Sequence, residues 1–249
     1  MRDHVDGQVD EGLYPLAAAG TLERLKGKPK VTEPLAPTPN PILVFVHGTF
    51  VETSSTFGKL WKGYPREVEA LFKHYGDQVY ALDHRTVGAS PISNALTLAR
   101  ALPKGARLHL VTHSRGGLVG EVLARLCGRR QLDAEDLRHF ADAAYAQQRA
   151  DLQALLALVV ERDLHVERVV RVACPMRGTL LASGRLDAYL SVLQWLLQLG
   201  GVPVLAELVS FLEGVAQQRT RVDEFAGLAA MVPGSAEVNW LNTGTQPVE

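Results

Sequence analysis

The sequence predicts an α/β domain in which a mostly parallel sheet carries helices on both faces. Three observations support this fold class: short apolar runs, helical segments between them, and a length of 249 residues. Apolar residues make up 47% of the chain, which is enough to build one substantial core. Because apolar runs that alternate with helices are typical of βαβ units, we expect the strands to lie parallel.

Four apolar runs are predicted to form the strands. They are ILVFVHG at 42–48, QVYALDH at 78–84, RLHLVTH at 107–113 and ERVVRVACP at 167–175. The first run is apolar without alternation, which is typical of a parallel strand buried on both faces.

Helices are predicted between these runs. Pro65 suits the first turn of one helix, and Gly76 suits the position just after its end. Ser90 and Pro91 match an N-cap and a first helical residue. The expected helical segments are 17–25, 65–75, 91–102, 115–128 and one or two helices within 133–163.

The chain divides into an N-terminal extension with a proline-rich linker at 1–40 and an α/β domain at 41–249. Helical insertions are expected at about 131–163 and 186–216. The second is very apolar but is broken by a Gly-Gly-Val-Pro sequence, so two short helices fit better than a transmembrane span. These helices are expected either to cap a pocket or to pack into the core. The sequence also predicts that the last strands of the sheet are missing.

Ser114 is the candidate nucleophile. In LHLVTHSRGGLVG (108–120) it stands between a predicted strand and a glycine-rich helix, which is the context of a nucleophile elbow. Such a turn needs small residues two positions away, and Gly116 meets this need after the serine. Thr112 stands where the G-x-S-x-G pattern has its first glycine. A serine that only caps the helix is the alternative interpretation.

A second motif, VFVHGTF (44–50), also lies at the carboxyl end of a strand, where α/β sheets bind ligands. An H-G-x turn of this kind can donate a backbone N–H group to an oxyanion. We assign the two oxyanion donors to the backbone N–H groups of Thr49 and Arg115. Three neighbouring residues are predicted to contact the substrate: His47, Phe50 and His113.

Together, four segments resemble a bacterial lipase-like α/β-hydrolase family. They are VFVHGTF, ALDHRTVGASPISNAL, LHLVTHSRGGLVGE and VRVACPMRGTLLASGRLDAYLSVL, within a resemblance from about Pro41 to Asn242. The family is related to triacylglycerol lipases and lecithin–cholesterol acyltransferases, and it often occurs in larger proteins with caspase-like CHAT domains. The resemblance implies a serine nucleophile, here Ser114, followed later in the chain by an acid and a histidine.

The expected histidine is not found where this fold places it, because none of the eight histidines follows His165. We therefore expect the chain to lack the triad acid and base and, in isolation, to be nearly inactive. His165 precedes its strand and is expected at the opposite edge of the sheet from Ser114. Three alternatives remain open: Asp83 with His84 as substitutes, Asp187 as the acid, and Cys174 as a different nucleophile.

The predicted function is that of a serine-dependent carboxylic ester hydrolase or acyltransferase of the lipase type. Its expected partner is an ester or lipid-like small molecule, because the 186–216 region is so apolar. The alternative is a non-catalytic binding or interaction module that keeps the fold.

Composition limits the other possibilities. The 26 Lys and Arg residues and 27 Asp and Glu residues give a net charge of −1, so no nucleic-acid binding is predicted. Neither a cofactor nor a metal is predicted, since the two cysteines have no zinc-type spacing. The polar N-terminus does not resemble a signal peptide, and a cytoplasmic location is expected. An unpaired sheet edge predicts a homodimer or association with other domains of a larger protein.

Overall fold

A computed structural model of the chain describes residues 6–179 and 226–243. In these ranges the chain forms a five-stranded, mostly parallel sheet with helices packed against it. The predicted α/β fold is therefore confirmed. The apolar 186–216 region, with its expected helices, lies outside the described residues.

The strand order across the sheet is β1-β3-β2-β4-β5. Three neighbouring pairs are parallel, whereas β1 runs antiparallel to β3. The strands are β1 (Gly12–Pro15), β2 (Ile42–Val46), β3 (Val79–Asp83), β4 (Arg107–His113) and β5 (His165–Val172). All four strands that the sequence predicts are present with bounds that differ from the predicted ones by at most three residues, and β4 has the predicted bounds.

The helices occupy the connections between the strands. They are α1 (Thr53–Gly63), α2 (Pro65–Tyr75), α3 (Pro91–Ala101), α4 (Gly116–Cys127), α5 (Ala134–Arg138), α6 (Ala146–Arg162), α7 (Ala226–Ala229) and α8 (Ala236–Asn242), with a 3-10 turn at Ala143–Tyr145. The hydroxyl of Ser90 accepts the N–H of Ser93 at 3.1 Å and so caps α3 as predicted. Gly76 ends α2 with φ 58°, which lies in the region that favours glycine.

The structure corrects the prediction for residues 1–40 in two ways. Residues 12–15 form a strand of the sheet, so part of this segment belongs to the α/β domain. The helix predicted over 17–25 is wrong, because this stretch has no helical turn. Gly20 adopts φ 86° there, and Leu25 is buried against the sheet instead of following a helical pattern.

Two apolar cores lie on opposite faces of the sheet, because successive strand residues point to opposite sides. Val44 and Val46 pack with residues of α3, α4 and α6. Leu43 and Phe45 pack with residues of α1 and α2 on the other face. The alternation explains why β2 is apolar throughout, and it holds the carboxyl ends of the strands at one edge.

β5 forms one edge of the described sheet. Among the described strands it pairs with β4 alone, and Val170 and Val172 are 54% and 46% exposed. Association through this edge stays a prediction.

Within the described part of the chain, no helix has both the length and the apolar character needed to cross a membrane.

The carboxyl end of β3 is joined to the start of α1 by a buried side-chain contact. Asp83 Oδ1 accepts the backbone N–H of Thr53 at 3.0 Å and its hydroxyl at 2.5 Å. Burial raises the pKa of the Asp83 carboxyl, while the two Thr53 bonds act in the opposite direction. Thr53 therefore satisfies one oxygen of this buried carboxyl group, while Oδ2 has no hydrogen-bond partner among the described residues.

Replacing Thr53 with valine is expected to lower the free energy of unfolding by about 1–2 kcal/mol, because one buried hydrogen bond to Asp83 is lost. Thr56→Val is the matched control in the same helix, since the buried Thr56 hydroxyl has no hydrogen-bond partner among the described residues. Urea denaturation measures both. Equal effects of the two substitutions would contradict the assigned role of the Thr53 hydroxyl.

Candidate active site

Ser114 occupies a sharp turn between β4 and α4. β4 ends at His113, and α4 begins at Gly116. Ser114 itself adopts φ 52°, a left-handed conformation that is strained for a residue with a side chain. Its N–H donates to the carbonyl of Val172 at 2.9 Å, so the turn is also held by β5. The structure therefore has the strand–serine–helix order that the sequence predicts here, and the role of Ser114 as a nucleophile stays a prediction.

Close backbone contacts explain the glycine that follows the serine by two positions. A Cβ atom on Gly116 would lie 2.6 Å from the carbonyl oxygen of His47 and closer still to that of Val46. The start of α4 therefore presses directly on the end of β2. No other residue type fits this position without a shift of the backbone.

Thr112 takes the place of the first glycine in the elbow pattern, and the structure accommodates it by a small residue opposite. A Cβ atom on Gly120 would lie 3.0 Å from the Thr112 methyl group. The Thr112 hydroxyl donates to the carbonyl of Val170 at 3.1 Å. The threonine is therefore buried between β5 and α4 without blocking the turn.

Cys174, the alternative nucleophile, lies behind the elbow. A Cβ atom on Gly117 would lie 2.5 Å from Cys174 Cβ, so the cysteine packs against the first turn of α4. Its thiol donates weakly to the carbonyls of Thr112 and Val172, at 3.7 and 3.5 Å. These contacts account for Cys174 as a packing residue.

The turn after β2 lies directly against the serine. A Cβ atom on Gly48 would lie 2.8 Å from Ser114 Cβ and 3.1 Å from His113 Nδ1. Only glycine allows the H-G-x backbone to approach Ser114 this closely. The two sequence motifs are thus brought together at one point of the sheet edge.

Both predicted oxyanion donors belong to this junction. Among the described residues, no hydrogen bond takes up the backbone N–H of Thr49 or that of Arg115. The Thr49 hydroxyl donates to the sulfur of Met231 at 3.3 Å. The two N–H groups stay predicted donors for a developing oxyanion.

Phe50 continues the turn in a strained conformation. Its φ is 62°, and its N–H donates to the hydroxyl of Thr86 at 3.2 Å. The ring packs against the small apolar cluster that contains Leu118 and Met231, and the residue is half-buried. Substrate contact by Phe50 stays a prediction.

His47 lies beneath the turn and is fully buried. Its Nε2 accepts the N–H of His84 at 3.1 Å, and its Nδ1 is 2.9 Å from the carbonyl of Gly48. Burial lowers the pKa of the imidazole to about 4, so the ring is neutral at physiological pH. In this position His47 holds the turn in place, whereas a substrate contact would require the ring to be exposed.

The pair Asp83 and His84 does not bond to the serine in this structure. His84 is fully buried, and its ring stacks on that of His47 with centroids 4.0 Å apart. Burial also lowers the pKa of His84 well below its usual value. Within residues 6–179 and 226–243, no hydrogen bond joins any histidine to the Ser114 hydroxyl.

The remaining candidates for a base or acid are distributed as follows. His113 is half-buried beside the serine, and burial lowers the pKa of its ring. His165 pairs with Arg107 at the amino-terminal end of the sheet, opposite to Ser114, as expected. Asp187 lies outside the described residues.

The side chain of Arg115 runs inward from the elbow and is completely buried. Its Nε donates to the carbonyl of Gly227 at 3.2 Å, and its Nη2 donates to that of Ala89 at 2.5 Å. Burial lowers the pKa of the guanidinium to about 10, so the group remains positively charged at neutral pH. Arg115 thereby ties the elbow to the loop after β3 and to the start of α7.

Glu237 on α8 interacts electrostatically with this buried cation. It stands in none of the motifs from which the site was predicted. Burial raises the pKa of its carboxyl to about 8, although the charge of Arg115 acts against the shift. Neither carboxyl oxygen makes a hydrogen bond of good geometry among the described residues. The available signal was the position of Glu237 three residues before the fully buried Trp240, on the apolar face of a helix.

Asp6 is a second functional candidate without a motif of its own. Its carboxylate accepts three backbone N–H groups from the loop that follows β3.

In the described part of the chain, no cluster of His, Cys, Asp and Glu is arranged to hold a metal ion.

Fold and site together define an α/β protein in which a strained serine and a glycine turn meet at the carboxyl ends of parallel strands. The sequence profile of DUF7379, a domain of unknown function, matches residues 19–146 and 148–249. Because these ranges include most of the chain, the protein belongs to the DUF7379 family. A search of curated proteins found no match.

Proposed function

We propose that this protein is a serine-dependent hydrolase or acyltransferase that acts on carboxylic esters, in the manner of lipases. The observation that carries the proposal is the contact between the Gly48 backbone and Ser114. It brings a serine with a strained backbone next to the turn that contains the predicted N–H donor of Thr49. Strained backbone of this kind is concentrated at functional sites, because packing alone rarely requires it.

The proposed chemistry starts with attack of Ser114 Oγ on the acyl carbonyl carbon. The carbonyl oxygen becomes an oxyanion, and we assign its stabilisation to the backbone N–H groups of Thr49 and Arg115. No described residue is hydrogen-bonded to the serine hydroxyl as a base, so the serine proton passes to a water molecule. A proton from this water then joins the departing alkoxide oxygen, which leaves as the alcohol while the acyl-enzyme forms. Water then releases an acid, or a second alcohol accepts the acyl group. The N-terminus of α4, which begins at Gly116, also favours a negative oxygen here.

The absence of a described histidine partner for Ser114 determines the expected rate. A serine hydroxyl without a base keeps only about 10³–10⁴-fold catalysis over water, from the oxyanion hole and from binding. Ester hydrolysis by this chain is therefore expected to be slow. The apolar sequence of residues 186–216 favours acyl chains over polar groups as the recognised part of the substrate.

We expect a fluorophosphonate probe to label the protein slowly and only at Ser114. Intact-mass and peptide mass spectrometry follow the reaction, and Ser114→Ala is expected to abolish it. Ser93→Ala is the matched control, because Ser93 lies on α3 and takes no part in the proposed chemistry. Parallel assays with nitrophenyl esters of increasing chain length report the acyl preference.

Equal labelling of wild type and Ser114→Ala would exclude Ser114 as the nucleophile. If neither the probe nor any ester reacts, the alternative is a non-catalytic binding module. That alternative is favoured by one specific observation, since no hydrogen bond joins a described base to the serine hydroxyl.

A further inference from the structure

The loop after β3, here called the Thr86–Gly88 loop, forms a concave row of backbone donors. The N–H groups of Thr86 and Val87 donate to one oxygen of the Asp6 carboxylate, at 3.2 and 3.1 Å. The N–H of Gly88 donates to the other oxygen at 2.8 Å. Successive N–H groups that converge in this way form an anion-binding nest, and a carboxylate occupies it.

The residues that form the nest are buried. Asp6 is only 7% exposed, although it lies eighty or more residues from the loop in sequence. Thr86 is 3% exposed, and Val87 is fully buried. No lysine or arginine forms an ion pair with Asp6 among the described residues, so the backbone N–H groups are its direct partners there.

The loop also contacts both halves of the candidate active site. The Thr86 hydroxyl accepts the N–H of Phe50, which belongs to the oxyanion turn. One residue beyond the loop, the carbonyl of Ala89 accepts the Arg115 side chain, which belongs to the elbow. A displacement of the loop is therefore transmitted to the turn and to the elbow through direct hydrogen bonds.

We propose that the Thr86–Gly88 loop is a carboxylate-binding site that Asp6 fills from within the chain, and that this filling positions the oxyanion turn. Asp6 is thus a positioning residue and not a catalytic one. The ligand class is a small monocarboxylate, because the nest binds one carboxylate through both of its oxygens. The part that concerns catalysis rests on the function proposed above.

Replacing Asp6 with alanine empties the nest and leaves room for a carboxylate of the size of formate. We expect faster hydrogen exchange of the amides of residues 86–88, since they lose the Asp6 carboxylate as acceptor. The amide of Phe50 is also expected to exchange faster, because its acceptor, the Thr86 hydroxyl, belongs to the displaced loop. Labelling of Ser114 by fluorophosphonate is expected to slow about tenfold, as the turn loses its position. Added formate is expected to restore both readouts, whereas chloride at the same ionic strength is not.

Two further variants make the result specific. Asp6→Asn keeps the size of the side chain and one acceptor oxygen, but its N–H₂ group cannot accept the N–H groups that the other carboxylate oxygen accepted. It is expected to speed exchange at part of the loop only, and formate is not expected to reverse this, because the side chain still fills the nest. Asp10→Ala is the matched control from the same segment. The Asp10 carboxylate pairs with Lys30 at 2.6 Å and is not bonded to the loop.

Each outcome decides one part of the proposal. Unchanged exchange at residues 86–88 in Asp6→Ala, or no greater recovery with formate than with chloride, would overturn the carboxylate site. Changed exchange in the loop with unchanged exchange at Phe50 and unchanged labelling would overturn the positioning role. If the wild-type protein is not labelled at all, the proposed function fails, while the exchange data still decide the site.

Discussion

Replacing Gly116 with alanine is expected to lower the free energy of unfolding by about 3 kcal/mol and to displace Ser114. The added methyl group would lie 2.6 Å from the His47 carbonyl oxygen, which belongs to the rigid backbone at the end of β2. The carbonyl groups of Val46 and His47 cannot move aside as a flexible side chain would, so α4 has to shift. Urea denaturation measures the loss, and fluorophosphonate labelling reports the displaced serine.

Gly128→Ala is the control for this substitution at the other end of the same helix. Gly128 has φ −88°, and a Cβ atom there would meet no other atom within 4 Å. Its substitution is expected to leave the unfolding midpoint almost unchanged. A Gly116→Ala variant as stable as the Gly128→Ala variant would show that α4 does not approach β2 as closely as described.

Glu237→Gln is expected to stabilise the protein at about pH 7 by about 3 kcal/mol and to have little effect near pH 4. In the folded chain burial raises the pKa of this carboxyl to about 8, against a usual value of 4.5. Between these two values the unfolded chain has lost the proton while the folded chain keeps it. Stability therefore falls as the pH rises through this window and levels off above it.

The neighbouring charges do not reverse this direction. Arg115 remains positive throughout the window, because the pKa of its guanidinium lies near 10. Asp6 and Glu11 also act on Arg115 and compete with Glu237 for its charge. Glutamine keeps the size of the side chain and removes the titration, so the pH dependence of stability is the quantity that changes.

Thermal unfolding of wild type and Glu237→Gln across this pH range tests the prediction. Glu135→Gln is the matched control, since Glu135 is an exposed acid on α5 whose ion pair in the described part of the chain is with exposed Arg138 at 3.4 Å. Parallel pH profiles for wild type and Glu237→Gln would mean that Glu237 is ionised in the folded protein at neutral pH. Such a result would contradict the position of the Glu237 carboxyl described above, buried and without a hydrogen bond of good geometry.

The parts of the fold that follow a local pattern were predictable from the sequence. β2, β4 and α3 have continuous apolar runs or a Ser-Pro start, and their bounds agree closely with the prediction. β1 has four residues, among them a glycine and a proline, and it carries no period of its own. It becomes a strand only through antiparallel pairing with β3, which a local pattern does not show.

The candidate site shows the same division between local and distant information. Ser114 and Gly48 stand in motifs that a few consecutive residues define, so both positions could be predicted from local sequence. His47 has the predicted position at the end of β2, but the sequence does not determine which face of the strand its ring occupies. Asp6 and Glu237 reach the site from segments far away in sequence, so their roles depend on tertiary contacts alone.

The long sequence separation within the Arg115 contacts has a consequence for biosynthesis. One of its carbonyl acceptors, on Ala89, is made before the arginine, whereas the other, on Gly227, follows it by 112 residues. A nascent chain can pair all five described strands before that second acceptor has left the ribosome. Burial of the guanidinium is therefore a late event in synthesis, and the serine's surroundings are completed only after the sheet that carries them.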